Sequence, residues 1–173
     1  ISRLNPDVKR EVRRPNIVPP VAWKGSLPSG SFRSQVPDRI TLMHTGTSLA
    51  EGADAGSQMK RIQSEDMARG WGDLGAHFYI DPAGTIYQSR RVVIQGRIKE
   101  EKKVDPRGHI FITLIGNYNE REPAEPFKES FVTLLAWLHQ HYTIPPEKIQ
   151  GLNDYTDTGS PGSRLLQWMH IEE

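Results

Sequence analysis

Apolar positions along this chain fall into short β-prone runs and into helical stripes, and the changes between them mark the elements. From Arg39, "RITLMHTGT" reads as a buried strand ending at His44. In "SQMKRIQSEDMARG", residues 57–70, Met59, Ile62 and Met67 recur at roughly helical spacing, and Gly70 is a helix stop. The methionines read as core filler. "AHFYIDPAGTIYQSR", residues 76–90, predicts a β-hairpin: Phe78 and Ile80 alternate, Asp81 to Gly84 make the turn, and Ile86 resumes the pattern. Residues 97–108 are charged and read as an exposed loop. "HIFITLIGNY" is apolar on both faces, as a central strand is. "PFKESFVTLLAWLHQHY" puts Phe127, Phe131, Leu134, Leu135, Leu138 and Tyr142 on one helical stripe, with Pro126 in the first turn. "IPPEKI" reads as a short turn, and "SRLLQWMH" as a last helix with Leu165, Leu166 and Met169 inward. The sum is a single α/β domain, a mixed central β-sheet flanked by helices.

The pattern is different before residue 39. Pro6, Pro15, Pro19, Pro20, Pro28 and Pro37 predict an irregular arm over residues 1–38, pinned to the body by Trp23. The arm is also basic: Arg3, Lys9, Arg10, Arg13, Arg14, Lys24 and Arg33 outnumber Asp7, Glu11 and Asp38. That composition reads first as a solvated face, and second as a contact for an anionic or protein partner. Over the whole chain of 173 residues the net charge is only +1, which gives no electrostatic case for a nucleic-acid partner. No run approaches the roughly 18 apolar residues that span a bilayer. Cysteine is absent, which excludes disulfides and thiolate metal sites. The chain starts at Ile1, which reads as a trimmed product whose signal peptide, if any, is gone.

"VPPVAW", "ITLMHTGTS", "RGWGDLGAHFYIDPAGTIYQSR", "ITLIGNY" and "IQGLNDYTDTGSPG" follow one another in an order that resembles a known family. It is the N-acetylmuramoyl-L-alanine amidases of the peptidoglycan-recognition type, phage amidase-type lysozymes included. The similarity runs over about residues 17–168, and the stretch from Gly70 to Tyr87 is its specific part. The resemblance implies an amidase-like domain at 39–173, with helices on both faces of a mixed sheet and a substrate groove above it. It also implies cleavage of the amide between muramic acid and L-alanine by one zinc ion. In the family that ion is held by two histidines and a cysteine or aspartate. Three protein ligands leave a fourth position for the attacking water.

This sequence departs from that pattern where the chemistry sits. The first ligand position is His44. The second, in "GLND", is Leu152, which has no lone pair. The third, ahead of Pro161 and Gly162, is Ser160, whose hydroxyl is a poor source of an anion. The family's hairpin tyrosine is Ala76. These changes predict a catalytically inactive domain, with His44 only the remnant of a metal site and no cofactor. The expected ligand is peptidoglycan or a muropeptide. Candidate groove residues are His44, Trp71, Tyr87, Arg90, Arg97, His109, Asn117 and Asp154, with arginines for stem-peptide carboxylates and an aromatic ring for a sugar face. Two alternatives stand beside this reading. One is an active amidase whose zinc has moved to a rearranged set, such as His44, Asp157 and one further group. The other is a structural or protein-interaction domain that docks through the arm. His77 reads as structural, His139 and His141 as solvated helix positions that diverge, and His170 as exposed. An exported location, periplasmic or at the cell wall, follows from the family's substrate alone.

Overall fold

The structure is a computed structural model that describes residues 11–47 and 53–170. Five strands form one mixed sheet: β1 (Arg39–His44), β2 (Phe78–Ile80), β3 (Ile86–Gln88), β4 (His109–Leu114) and β5 (Ile149–Gly151), in spatial order β3-β2-β4-β1-β5. Only the β2–β3 hairpin is antiparallel. β4 is central and all six of its residues are buried, which is why it is apolar on both faces. The register pairs Arg39 with His109 and His44 with Leu114, so the two histidines lie at opposite ends of the sheet.

Helices cover both faces. On one lie α2 (Glu125–His141) and α3 (Ser163–His170). α2 buries Phe127, Phe131, Leu134, Leu135 and Leu138 against Ile40, Leu42, Phe78, Ile80, Ile110 and Ile112. Each such side chain contributes about 1.5–3 kcal/mol of burial. α3 adds Leu165 to the same core, while Leu166 is only half-buried. On the other face lies α1 (Ala55–Ala68), capped by the Asp54 carboxylate on the N–H groups of Gly56 and Ser57 at 3.3 and 3.0 Å. Its Met59 packs with Leu74, Tyr79, Phe111 and Leu152 in a second cluster.

The sequence reading needs two corrections: residues 97–108, read as an exposed loop, bury Ile98 and Val104, and Ile149–Gly151, which begins at the last residue of the "IPPEKI" turn, is a strand paired in parallel with β1 at the sheet edge. Its burial follows from the partner strand, since three residues next to two prolines carry no periodicity of their own. Residues 11–38 contain no strand or helix of regular length, yet they pack closely. Val18 pairs with β3 through hydrogen bonds to Ile86 and from Gln88, Ile17 and Trp23 are buried, and the Trp23 indole donates to the Gln88 carbonyl. Arg3, Lys9 and Arg10 of the basic arm lie outside the described residues.

Candidate functional site

Above the α1 face of the sheet lies a groove of about 500 Å³. The carboxyl end of β1, β2, β4, the exposed side of α1 and the loops around 97–100 and 152–160 enclose it. His44, Ala76, Leu152 and Ser160, which come from three separate segments, all line it. A glycine on each side fixes the geometry. A Cβ at Gly75 would stand 2.3 Å from the Arg97 carbonyl, so the chain before the hairpin can pass under the 97 loop only without a side chain. Gly162 has φ +114° and sits against the Tyr118 main chain, where a Cβ would stand 2.4 Å from its carbonyl carbon.

His44 is half-buried, and desolvation lowers its pKa below the ordinary histidine value. Its Nδ1 accepts the Tyr118 main-chain N–H at 3.2 Å. In the neutral ring Nε2 therefore carries the proton. A histidine that binds a metal does the reverse, donating from the far nitrogen to an acceptor and presenting a lone pair to the ion. Ser160 is occupied with the backbone: its Oγ accepts the His44 N–H at 3.0 Å, and its carbonyl accepts from Asn153 at 3.1 Å. It ties the 152–160 loop to the end of β1. Leu152 is 2% exposed and belongs to the apolar cluster beneath the groove. Ala76 leaves space that the nearby Tyr79 hydroxyl borders, 3.4 Å from the Ala76 nitrogen.

As a donor set for zinc these residues do not fit. One imidazole presents an N–H, one hydroxyl is used by the main chain, and the other two groups are hydrocarbon. Among the described residues no group of three His, Cys, Asp or Glu side chains is placed to hold a metal ion. The 53–170 segment puts Asp157 on the exposed surface rather than among the groove residues, so it does not join His44.

The rest of the groove is aromatic and charged. Trp71 stands in its wall with guanidinium groups over its ring, Arg69 at 5.5 Å and Arg97 at 5.7 Å. Arg69 also pairs with Asp66 at 2.8 Å, and Arg97 with Glu101 at 2.7 Å, so both cations are held in place. Asp66 is buried, accepts the Gly75 N–H at 3.0 Å, and has its pKa raised by desolvation. Arg61 and Lys99 reach the groove from α1 and the 97–100 loop. Sequence reading passes over Tyr79, Asp66, Arg61 and Lys99. For Tyr79 the signal was available: with Phe78 and Ile80 facing the α2 core, alternation turns Tyr79 to the opposite face.

Of the candidates His44, Trp71, Tyr87, Arg90, Arg97, His109, Asn117 and Asp154, the structure places His44, Trp71 and Arg97 in the groove lining and the other five elsewhere. Tyr87 is 8% exposed in the α1-side cluster, its hydroxyl donating to Asp81 at 3.2 Å. His109 lies at the far end of β4, five register positions from the level of His44. It is buried between Phe111 and Tyr155, with Nδ1 2.7 Å from the Thr41 hydroxyl and a pKa lowered to about 4 by burial. Asn117 accepts from the Asn119 N–H in a turn, and Asp154 accepts from the Gly151 N–H at 3.2 Å, a loop-holding role. Arg90 is buried on main-chain carbonyls outside the groove. His77 is structural: Nδ1 accepts the Phe111 N–H, Nε2 donates to Ile94, and burial lowers its pKa to about 4. His139 bonds the Ile144 carbonyl, His141 stacks on Trp137, and His170 is exposed.

A sequence model of one family, N-acetylmuramoyl-L-alanine amidase, matches residues 33–163, and the chain belongs to that family. Peptidoglycan recognition protein 1 of Bos indicus is 29% identical over 156 residues, covering 86% of this chain and 81% of the relative. Among solved structures, the N-acetylmuramoyl-L-alanine amidase LysC from Clostridium intestinale superposes with a TM-score of 0.75 at 24% identity, over 92% of this chain and 97% of that one. Peptidoglycan recognition protein-LE in complex with tracheal cytotoxin, a monomeric diaminopimelic acid-type peptidoglycan, gives 0.76 at 23% identity, over 90% and 92%.

Proposed function

We propose that this member of the N-acetylmuramoyl-L-alanine amidase family binds peptidoglycan fragments in the groove and does not hydrolyse them. The observation that carries this reading is the convergence of His44, Ala76, Leu152 and Ser160 on one cavity, with Ala76 and Leu152 lacking any lone pair, the Ser160 hydroxyl a poor anion source already bonded to the His44 N–H, and His44 engaged through Nδ1. Without the ion the site has neither a Lewis acid for the amide carbonyl nor a water of lowered pKa.

What remains suits binding. Trp71 offers an amphipathic face braced by two guanidinium groups, a surface for a sugar ring. Arg61 and Lys99 are placed to meet carboxylates of a stem peptide. The protonated Nε2 of His44 offers a hydrogen-bond donor to a ligand in the groove. The complex of the LE recognition protein with tracheal cytotoxin supplies the analogy for a muropeptide in such a groove. A role at the cell wall, outside the cytoplasm, follows from that ligand. No described helix is long and apolar enough to cross a membrane.

The test pairs calorimetric titration of a purified muropeptide with a chromatographic assay for free stem peptide, run with zinc supplied and again with a chelator. Saturable binding with no peptide released in either condition is the expected result. Zinc-dependent release would instead establish an amidase with a rearranged site, and no binding to any muropeptide would leave a protein-interaction role.

A further inference from the structure

A second cavity, of about 620 Å³, lies beyond the wall that Trp71 and Arg97 share with the groove. Its charge is unbalanced. Arg97 is paired with Glu101, and Arg107 with Asp105. Arg33, Arg90 and Lys102 also line it, and none of the three is in an ion pair among the described residues. Arg33 and Lys102 are exposed, which is ordinary. Arg90 is not: it is 4% exposed. Four of its five N–H groups go to main-chain carbonyls, of Leu74 at 3.0 Å, Gln95 at 2.9 Å, Trp71 at 2.9 Å and Asp73 at 3.5 Å, and Phe32 lies 5.2 Å from the guanidinium carbon. The fifth, on Nη1, has no partner among the described residues. Carbonyls hold the fork in place without neutralising it, and the nearby Asp73 and Asp66 carboxylates offset the cost of burying the charge only in part. Burial accordingly lowers the Arg90 pKa.

We infer that this cavity is a second binding site, for a multiply charged anion bearing phosphate or carboxylate groups, which Arg90 meets at the base and Arg33 and Lys102 meet at the rim. The cavity has the size of a small-molecule pocket, and a rigid guanidinium matches the oxygens of either group. Two sources share that chemistry: acidic groups of a groove ligand that continues past Trp71, and a separate phosphate-bearing molecule.

Inorganic pyrophosphate is the probe, titrated calorimetrically at low salt into the full chain. The expected result is saturable one-to-one binding that weakens at least ten-fold in Arg33→Glu/Lys102→Glu. A charge-matched control at exposed positions outside the cavity, Lys60→Glu/Arg91→Glu, is expected to change it less than two-fold. No saturable binding to the wild type, or equal weakening in both double variants, overturns the inference. The source follows from muropeptides with free or amidated carboxylates. Selective loss of the free-carboxylate form in Arg33→Glu/Lys102→Glu assigns the site to the groove ligand, and unchanged binding of both assigns it to a separate anion. Pyrophosphate binding does not require an occupied groove, so a wild type that fails to bind any muropeptide would overturn the proposed function and leave this site standing.

Discussion

Returning the missing ligands, as Leu152→His/Ser160→Cys, tests whether these positions are what the geometry makes them. The structure sets the cost. Leu152 is 2% exposed, and removing its side chain from the apolar cluster loses about 2–3 kcal/mol. Ser160 accepts the His44 N–H at 3.0 Å, and losing that bond costs about 1 kcal/mol. Together these come to about 3–4 kcal/mol, less than the stability of an ordinary domain. For a chain of this size that lowers Tm by roughly 6–16 °C. Zinc at about a hundred times its Kd would return about 2.7 kcal/mol, or roughly 5–11 °C. The affinity itself will be modest. To bind through Nε2, His44 must shift its proton to Nδ1, which faces the Tyr118 N–H. Leaving that donor unpaired costs about 1–3 kcal/mol, roughly five- to 150-fold in Kd. Thermal melts with zinc and with chelator, and metal content after gel filtration, read the outcome. The wild type is expected to show no zinc-dependent shift. A wild type that retains one zinc per chain would refute the donor-set argument. A folded double variant indifferent to zinc would refute the assignment of residues 152 and 160 to ligand positions.

Trp71→Ala is expected to weaken muropeptide binding about ten-fold or more by titration, since it removes the aromatic face and the support of Arg69 and Arg97; unchanged affinity would take the sugar-stacking role away from it. Chelator treatment is expected to leave the muropeptide Kd unchanged, and a Kd that rises with chelator and recovers with zinc would point to a metal in the binding site. Acid should destabilise the fold through His77 and His109, whose folded pKa values are depressed to about 4. Below an unfolded value of about 6.5 the unfolded chain takes up protons that the folded one refuses, so stability is complete above that pH and falls toward pH 4. At pH 5 each histidine is expected to cost about 2 kcal/mol; urea midpoints at pH 7 and 5 measure the drop, and His109→Gln should remove about half of it.

The strands and helices most legible in the sequence are those whose burial pattern is their own. β4 is apolar throughout because it is central, and the five-residue stripe of α2 repeats at helical spacing because one face meets the sheet. β5 escaped because its three residues are ordered by pairing with β1, a long-range contact that leaves no local period. The same limit explains His109. Strand identity was readable, but which end of β4 lies beside the end of β1 depends on the parallel register, and that register puts His109 level with Arg39. Arg90 reads as a groove residue, and neither its charge nor its neighbours in sequence disclose that carbonyls of Trp71, Asp73, Leu74 and Gln95 fold around it.

The site behaves differently from the fold in this respect, because its positions are defined by a motif and not by periodicity. His44, Ala76 and the loop that carries Leu152 and Ser160 are far apart in the chain, and in the sequence only a shared pattern in three segments groups them. What the pattern could not supply is what the replacements do. Leu152 and Ser160 are not mere absences: one fills the apolar floor, and the other fastens the loop to β1 through the His44 main chain. His44, the one ligand type retained, has its Nδ1 taken by Tyr118, so its free edge donates a hydrogen bond. Each of these side chains therefore has a packing or hydrogen-bonding role in the groove that it lines.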